Sequence, residues 1–99
     1  MERFAIAADG DGRLQATGDL TFTTAAAALN DGLRLLQRNG TWVVDLSAVT
    51  SGDSAGVAVL VEWIAAVRKA GGSIRYANVP AQMRAIARIA DLEDLLLSR

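Results

Sequence analysis

Apolar positions along the chain change period several times, and each change marks an element. FAIAA (Phe4–Ala8) and the alternating RLQAT (Arg13–Thr17) flank DGDG at residues 9–12. Glycine accepts positive φ and aspartate bonds its own backbone, so this stretch predicts a hairpin. From about Thr23, apolar residues recur at helical spacing through Phe22, Ala25, Leu29, Leu33 and Leu36, and Asn39-Gly40 supplies a stop. TWVVDL (Thr41–Leu46) is apolar without alternation, the pattern expected of a strand buried on both faces. A polar loop and then a helix over Ser54–Ala70 follow, ended by Gly71-Gly72. SIRYA (Ser73–Ala77) reads as a strand, Pro80 opens a third helix ending near Ala90, and DLEDLLLS is a short terminal turn or helix. The order ββαβαβα predicts an α/β domain spanning residues 1–99, with a sheet of about four strands and three main helices.

The Ser54 helix is the most informative element. At about 100° per residue, Gly56, Leu60, Trp63 and Val67 point one way, with Val59 and Ile64 at the flanks, and form the expected core face. The opposite side should be charged. It carries Glu62 and Lys69, but also Ser54, Ala58, Val61 and Ala65, spaced four, three and four. A continuous stripe of small residues on a solvent face suggests docking of a partner.

Composition narrows the chemistry. The chain of 99 residues is 52% hydrophobic, enough for a core, and its net charge of −1 gives no bulk attraction to nucleic acid or anionic lipid. Cysteine and histidine are both absent, which excludes disulfides, thiolate chemistry and zinc sites built on those residues. The N-terminus carries charges too early for a signal peptide, and the longest apolar run, Ala55–Val61, is far short of the roughly 20 residues of a membrane span. A cytoplasmic location is expected, with any membrane role exerted through a partner.

Candidate catalytic patterns fail on inspection. DGDG places Arg13 where a calcium loop needs its third acid. TSGDSAG precedes a helix but lacks the Gly-Lys-Ser/Thr of a phosphate-binding loop. Ser54 has no histidine to activate it, and Lys69, the only lysine, lies about 22 Å further along the same helix. Neither enzymatic activity nor a cofactor is expected. Asp53 or Ser54 should cap the helix. Arg84 and Arg88, one turn apart, read as a solvated face or as a contact for an acidic surface.

VVDLSAVTSGDSAGVAVLVEW (Val43–Trp63) resembles the signature of STAS domains, the fold of bacterial anti-sigma factor antagonists. GDLTFTTAAAAL at 18–29 is similar to that family's Gly-Glu-Leu segment, and the resemblance covers nearly the whole chain. The C-terminal half, with Glu62-Trp63 and NVPAQ, resembles the MlaB-like branch, the STAS subunit of Mla-type phospholipid ABC transporters. That branch implies an accessory subunit docked on the transporter's ATPase, in a complex with permease and substrate-binding subunits at the inner membrane. Its docking residues would be Asp53, Ser54, Ala58, Val61 and Ala65. The antagonist branch implies phosphorylation of Ser54 instead.

Overall fold

The computed structural model describes residues 3–37 and 39–97. Its elements are β1 (Ala5–Ala8), β2 (Arg13–Leu20), α1 (Ala25–Leu35), β3 (Thr41–Gly52), α2 (Ser54–Lys69), β4 (Ser73–Ala77), α3 (Ala81–Ile89) and α4 (Glu93–Leu97). The four strands form one sheet in the order β1-β2-β3-β4, with β1 antiparallel to β2 and the other pairs parallel. The expected α/β architecture is therefore present, and the DGDG turn is made by Gly10 and Gly12 at positive φ.

Buried and less buried residues alternate along β2 and along the first half of β3. Leu14, Ala16, Leu20, Trp42, Val44 and Leu46 are buried on the face covered by the helices, while Val43 and Asp45 are only half-buried. This corrects the expectation that β3 is buried on both faces. The unbroken apolar run at Trp42–Val44 reflects aromatic and β-branched residues suited to a pleated surface rather than a second covering layer.

β3 is also six residues longer than the sequence pattern indicates. After Asp45 its register with β2 slips at two points, between Gln15 and Thr17 and again between Gly18 and Asp19. Each slip inserts an extra β3 residue. The buried positions therefore step by three, from Leu46 to Val49 to Gly52, instead of by two. Bulges bend and twist a strand without ending it. Here they carry the polar SAVTSG segment along β2 to the mouth of α2, where Leu20 partners Gly52.

α1 is shorter than expected. It begins after the three threonines 21, 23 and 24 and ends at Leu35, with the Leu36 amide bonded to the Gly32 carbonyl. Phe22, placed by periodicity on its core face, instead lies in the preceding loop and is 84% exposed. α3 starts one residue later than expected, with Pro80 outside it accepting from the amides of Met83 and Arg84.

The α2 core face is as the periodicity predicts. Gly56, Leu60, Trp63, Val67, Val59 and Ile64 are all buried. Trp63 is fully buried, donates from Nε1 to the Leu29 carbonyl at 3.3 Å, and packs over Gly32, where any Cβ would overlap its indole. The Phe4 ring lies 6.4 Å away, tilted by 42°. Tyr76 closes the other side, donating its hydroxyl to the Leu60 carbonyl at 2.6 Å, and burial pushes its pKa up.

Candidate functional site

The parallel strands β2 and β3 end side by side at Leu20 and Gly52, and α2 starts directly above that edge. In open sheets with helical crossovers the strand C-termini are the usual functional end. Asp53 builds the junction. Its Oδ1 accepts from the Gly56 amide at 3.1 Å, capping α2, and its Oδ2 accepts from the Phe22 amide at 3.0 Å, tying the 20–24 loop to the helix. Asp53, not Ser54, is thus the cap.

The loop is braced from its other end by Thr24. Its hydroxyl accepts from the Thr21 amide at 3.0 Å and lies 2.9 Å from the Asp19 carbonyl. Threonine side chains that bond nearby backbone compete with helix formation, which is why α1 starts only after them. Gly56 permits the closest approach. Its position faces the Leu20 carbonyl so tightly that a Cβ would collide with the oxygen. The Asp-Ser-Ala-Gly sequence is therefore a geometric unit: cap, exposed residue, spacer and a glycine that lets the helix mouth sit on β2.

Desolvation raises the Asp53 pKa, but the backbone amides of Phe22, Gly56 and Ala55 together outweigh it, so the carboxyl titrates below its ordinary value. Asp45 is lowered as well, chiefly by the Asn78 side-chain amide at 3.1 Å and the Ser47 amide at 2.9 Å. A carboxyl depressed in the folded state adds stability above its unfolded pKa, about 3.9, and loses it as pH falls through the lower folded value. Asp53→Ala should therefore cost about 1 kcal/mol at pH 7, the worth of a helix cap. The gap from the unsubstituted protein should narrow below about pH 3.9, as the carboxylate is lost from the comparison. Urea melts at neutral and acid pH check this; a gap that widens in acid would contradict it.

Ser54, Ala58 and Ala65 are exposed in a row along α2. Val61 is half-buried and packs against the core, so it forms the margin of the stripe and not its centre. Sequence reasoning missed Phe22. Its backbone is fastened to the carboxylate next to Ser54, so an exposed aromatic residue is tied to the N-terminal end of α2, where the small-residue stripe begins. The Thr-Phe-Thr-Thr context could have revealed it, because clustered threonines favour turns over a helix interior. Arg88 pairs with Glu93 at 3.3 Å in the open, and Arg84 lines a separate groove with Ser47, Asn78 and Leu97.

A family model described as the MlaB STAS domain matches residues 4–98. The chain belongs to the MlaB-like STAS domain family. No curated protein matches the sequence. Among solved structures, this STAS domain is similar to the Bacillus cell fate determinant SpoIIAA in its phosphorylated form, with a TM-score of 0.67, 13% identity, and coverage of 94% of this chain and 87% of that one. The unphosphorylated anti-sigma factor antagonist SpoIIAA gives a TM-score of 0.64 at 13% identity, covering 87% and 82%. The murine anion transporter Slc26a9, solved in its inward-facing state, contains a similar fold with a TM-score of 0.61 and 21% identity. That match covers 87% of this chain and 14% of the transporter. At such identities the likeness is one of fold. Among the described residues of this STAS domain, no helix is long and apolar enough to cross a membrane.

Proposed function

We propose that this STAS domain is a non-enzymatic accessory subunit that docks on the ATPase of an Mla-type ABC transporter. It would work in the cytoplasm, held at the inner membrane by a complex that also contains permease and substrate-binding subunits and moves phospholipid between membranes. The observation that carries this reading is the exposed stripe Ser54, Ala58 and Ala65 beside Phe22, on a chain of the MlaB-like family. Small residues let another backbone approach closely, and an aromatic at the border supplies the kind of anchor that dominates binding energy. Asp53 holds the two parts in fixed relation. By binding one conformation of the ATPase preferentially, the subunit would shift its population. ATP hydrolysis would belong to the partner.

A second reading treats Ser54 as a phosphate acceptor. It is favoured by the exposure of Ser54 and by the existence of SpoIIAA in a phosphorylated form. A phosphate would add about −1.5 to −2 charges beside Asp53 and oppose docking of an apolar surface. Affinity purification of the tagged chain from its own cell, followed by mass spectrometry, separates the two. Recovery of an ATPase with its permease is the expected result. Recovery of a protein kinase together with phosphorylated Ser54 would replace it with the second reading.

A further inference from the structure

The Asp53 carboxylate serves two backbones at once, and the two uses are separable. One oxygen accepts from the Gly56 amide at 3.1 Å and caps α2, while the other accepts from the Phe22 amide at 3.0 Å. Capping takes a single acceptor, which serine or asparagine supplies about as well as aspartate. The second oxygen is surplus to that task, and it reaches a residue 31 positions away in sequence. The Asp53 amide meanwhile donates to the Leu20 carbonyl at 3.4 Å, so residue 53 grips the chain on both sides of Thr21. Thr24 holds the far end: its amide donates to the Thr21 carbonyl at 3.0 Å, and its hydroxyl accepts from the Thr21 amide and donates to the Asp19 carbonyl. Burial does little to fix Phe22 and Thr23, which are both exposed.

We propose that Asp53 is a positioning residue of the docking surface, acting on the partner through Phe22 by ordering the 20–24 loop before the ATPase arrives. The inference rests on the docking reading above and adds a division of labour to it. The carboxylate makes no contact with the ATPase of its own, because its two oxygens are spent on amides of its own chain. An aromatic side chain on a loose loop has to be ordered when the partner binds, and each side chain so immobilised costs affinity. Fastening the Phe22 peptide to the mouth of α2 beforehand removes part of that cost. It also makes helix and loop one unit, since the carboxylate that bonds Phe22 belongs to the neighbour of Ser54. Asp53→Ser retains one acceptor for the Gly56 amide on a shorter stem and deletes the one that reaches Phe22. Asp53→Asn keeps the shape of the side chain but exchanges one acceptor oxygen for an N–H donor, so it too cannot serve both amides.

Three measurements on the full chain test this. In thermal melts both variants should stay closer to the wild type than Asp53→Ala does, because the cap survives in them. In NMR relaxation the backbone order parameters of residues 21–23 should fall from about 0.85 to below about 0.6, a change that a cap alone would not produce. In titrations against the ATPase recovered with the chain, Asp53→Ser should bind about threefold to tenfold more weakly. With Phe22→Ala already in place, the same serine substitution should change Kd less than about twofold, since the ring it positions is gone. Unchanged order in the loop overturns the proposal, and so does a loosened loop that binds with wild-type affinity. A loss that adds in full to that of Phe22→Ala also overturns it, by putting the carboxylate itself against the ATPase. Melts as low as those of Asp53→Ala would show that the two uses are inseparable and overturn it as well. A wild-type chain that binds no ATPase is a different result: it fails the docking reading and takes this inference with it.

Discussion

Gly56→Val should destabilise the protein by about 3 kcal/mol or more, a large part of the roughly 5–15 kcal/mol available to a small domain. Intrinsic preference argues the other way, since a helix-interior glycine costs about 1 kcal/mol relative to alanine. Contact decides the sign. A Cβ at residue 56 would overlap the Leu20 carbonyl oxygen and stand 3.1 Å from both the Leu20 carbonyl carbon and its Cγ. Leu20 is fully buried and fixed in the sheet opposite Gly52, so the obstacle is backbone that cannot rotate aside. α2 would have to lift from β2, breaking the Asp53 bonds to Gly56 and Phe22 that join helix, strand and loop. Gly56→Ala should show the same direction, reduced by the propensity gain. At about 4–8 °C per kcal/mol for a domain of this size, Gly56→Val should lower Tm by more than about 10 °C. Thermal melts of both variants check it, and an alanine variant as stable as glycine would show that the helix mouth has room to spare.

The local periodicities that carried the fold were those of elements whose environment is set by their own residues. The α2 stripe was readable because Gly56, Leu60, Trp63 and Val67 sit one turn or nearly one turn apart and every one is buried. β4 was bounded by Gly72 and by Asn78, which takes up positive φ, and its limits agree with the sequence reading. What escaped depended on partners distant in sequence. SAVTSG reads as a loop because serine, threonine and glycine favour turns. It is a strand because β2 supplies hydrogen bonds through two register shifts. The one-sided burial of β3 follows from all the helices packing on one face, a property of topology that TWVVDL alone does not encode. Phe22 fits the helical spacing of α1, yet the Thr24 hydroxyl and the Asp53 carboxylate hold its peptide in a loop. The site was therefore legible on the helix that carries most of it and hidden on the loop that completes it.

The most decisive substitutions for the proposed docking are Ser54→Arg and Ala58→Arg. Both positions are exposed, so each change should leave stability within about 0.5 kcal/mol. Ser54→Arg is safe for a further reason: the helix cap is the Asp53 carboxylate, which that substitution leaves in place. Binding should respond very differently. A contact built on small side chains admits the partner at close range, and a guanidinium on a long stem either holds it off or is buried without a counter-charge. A loss of 2 kcal/mol or more, about thirtyfold in Kd, is expected at such positions, enough to abolish co-purification with the ATPase. Phe22→Ala tests the part of the site that the sequence concealed. With the ring 84% exposed, its removal should cost little stability but weaken the complex about as much as the arginines. Ser54→Ala should be nearly silent, because a methyl group preserves the close approach and the cap is elsewhere. Val61→Arg should behave unlike all of these and lower Tm, since Val61 packs partly against the core. Co-purification paired with thermal melts for the five variants distinguishes a docking surface from a folding defect. Normal recovery of the ATPase with both Ser54→Arg and Ala58→Arg would place the interface on another face of the domain.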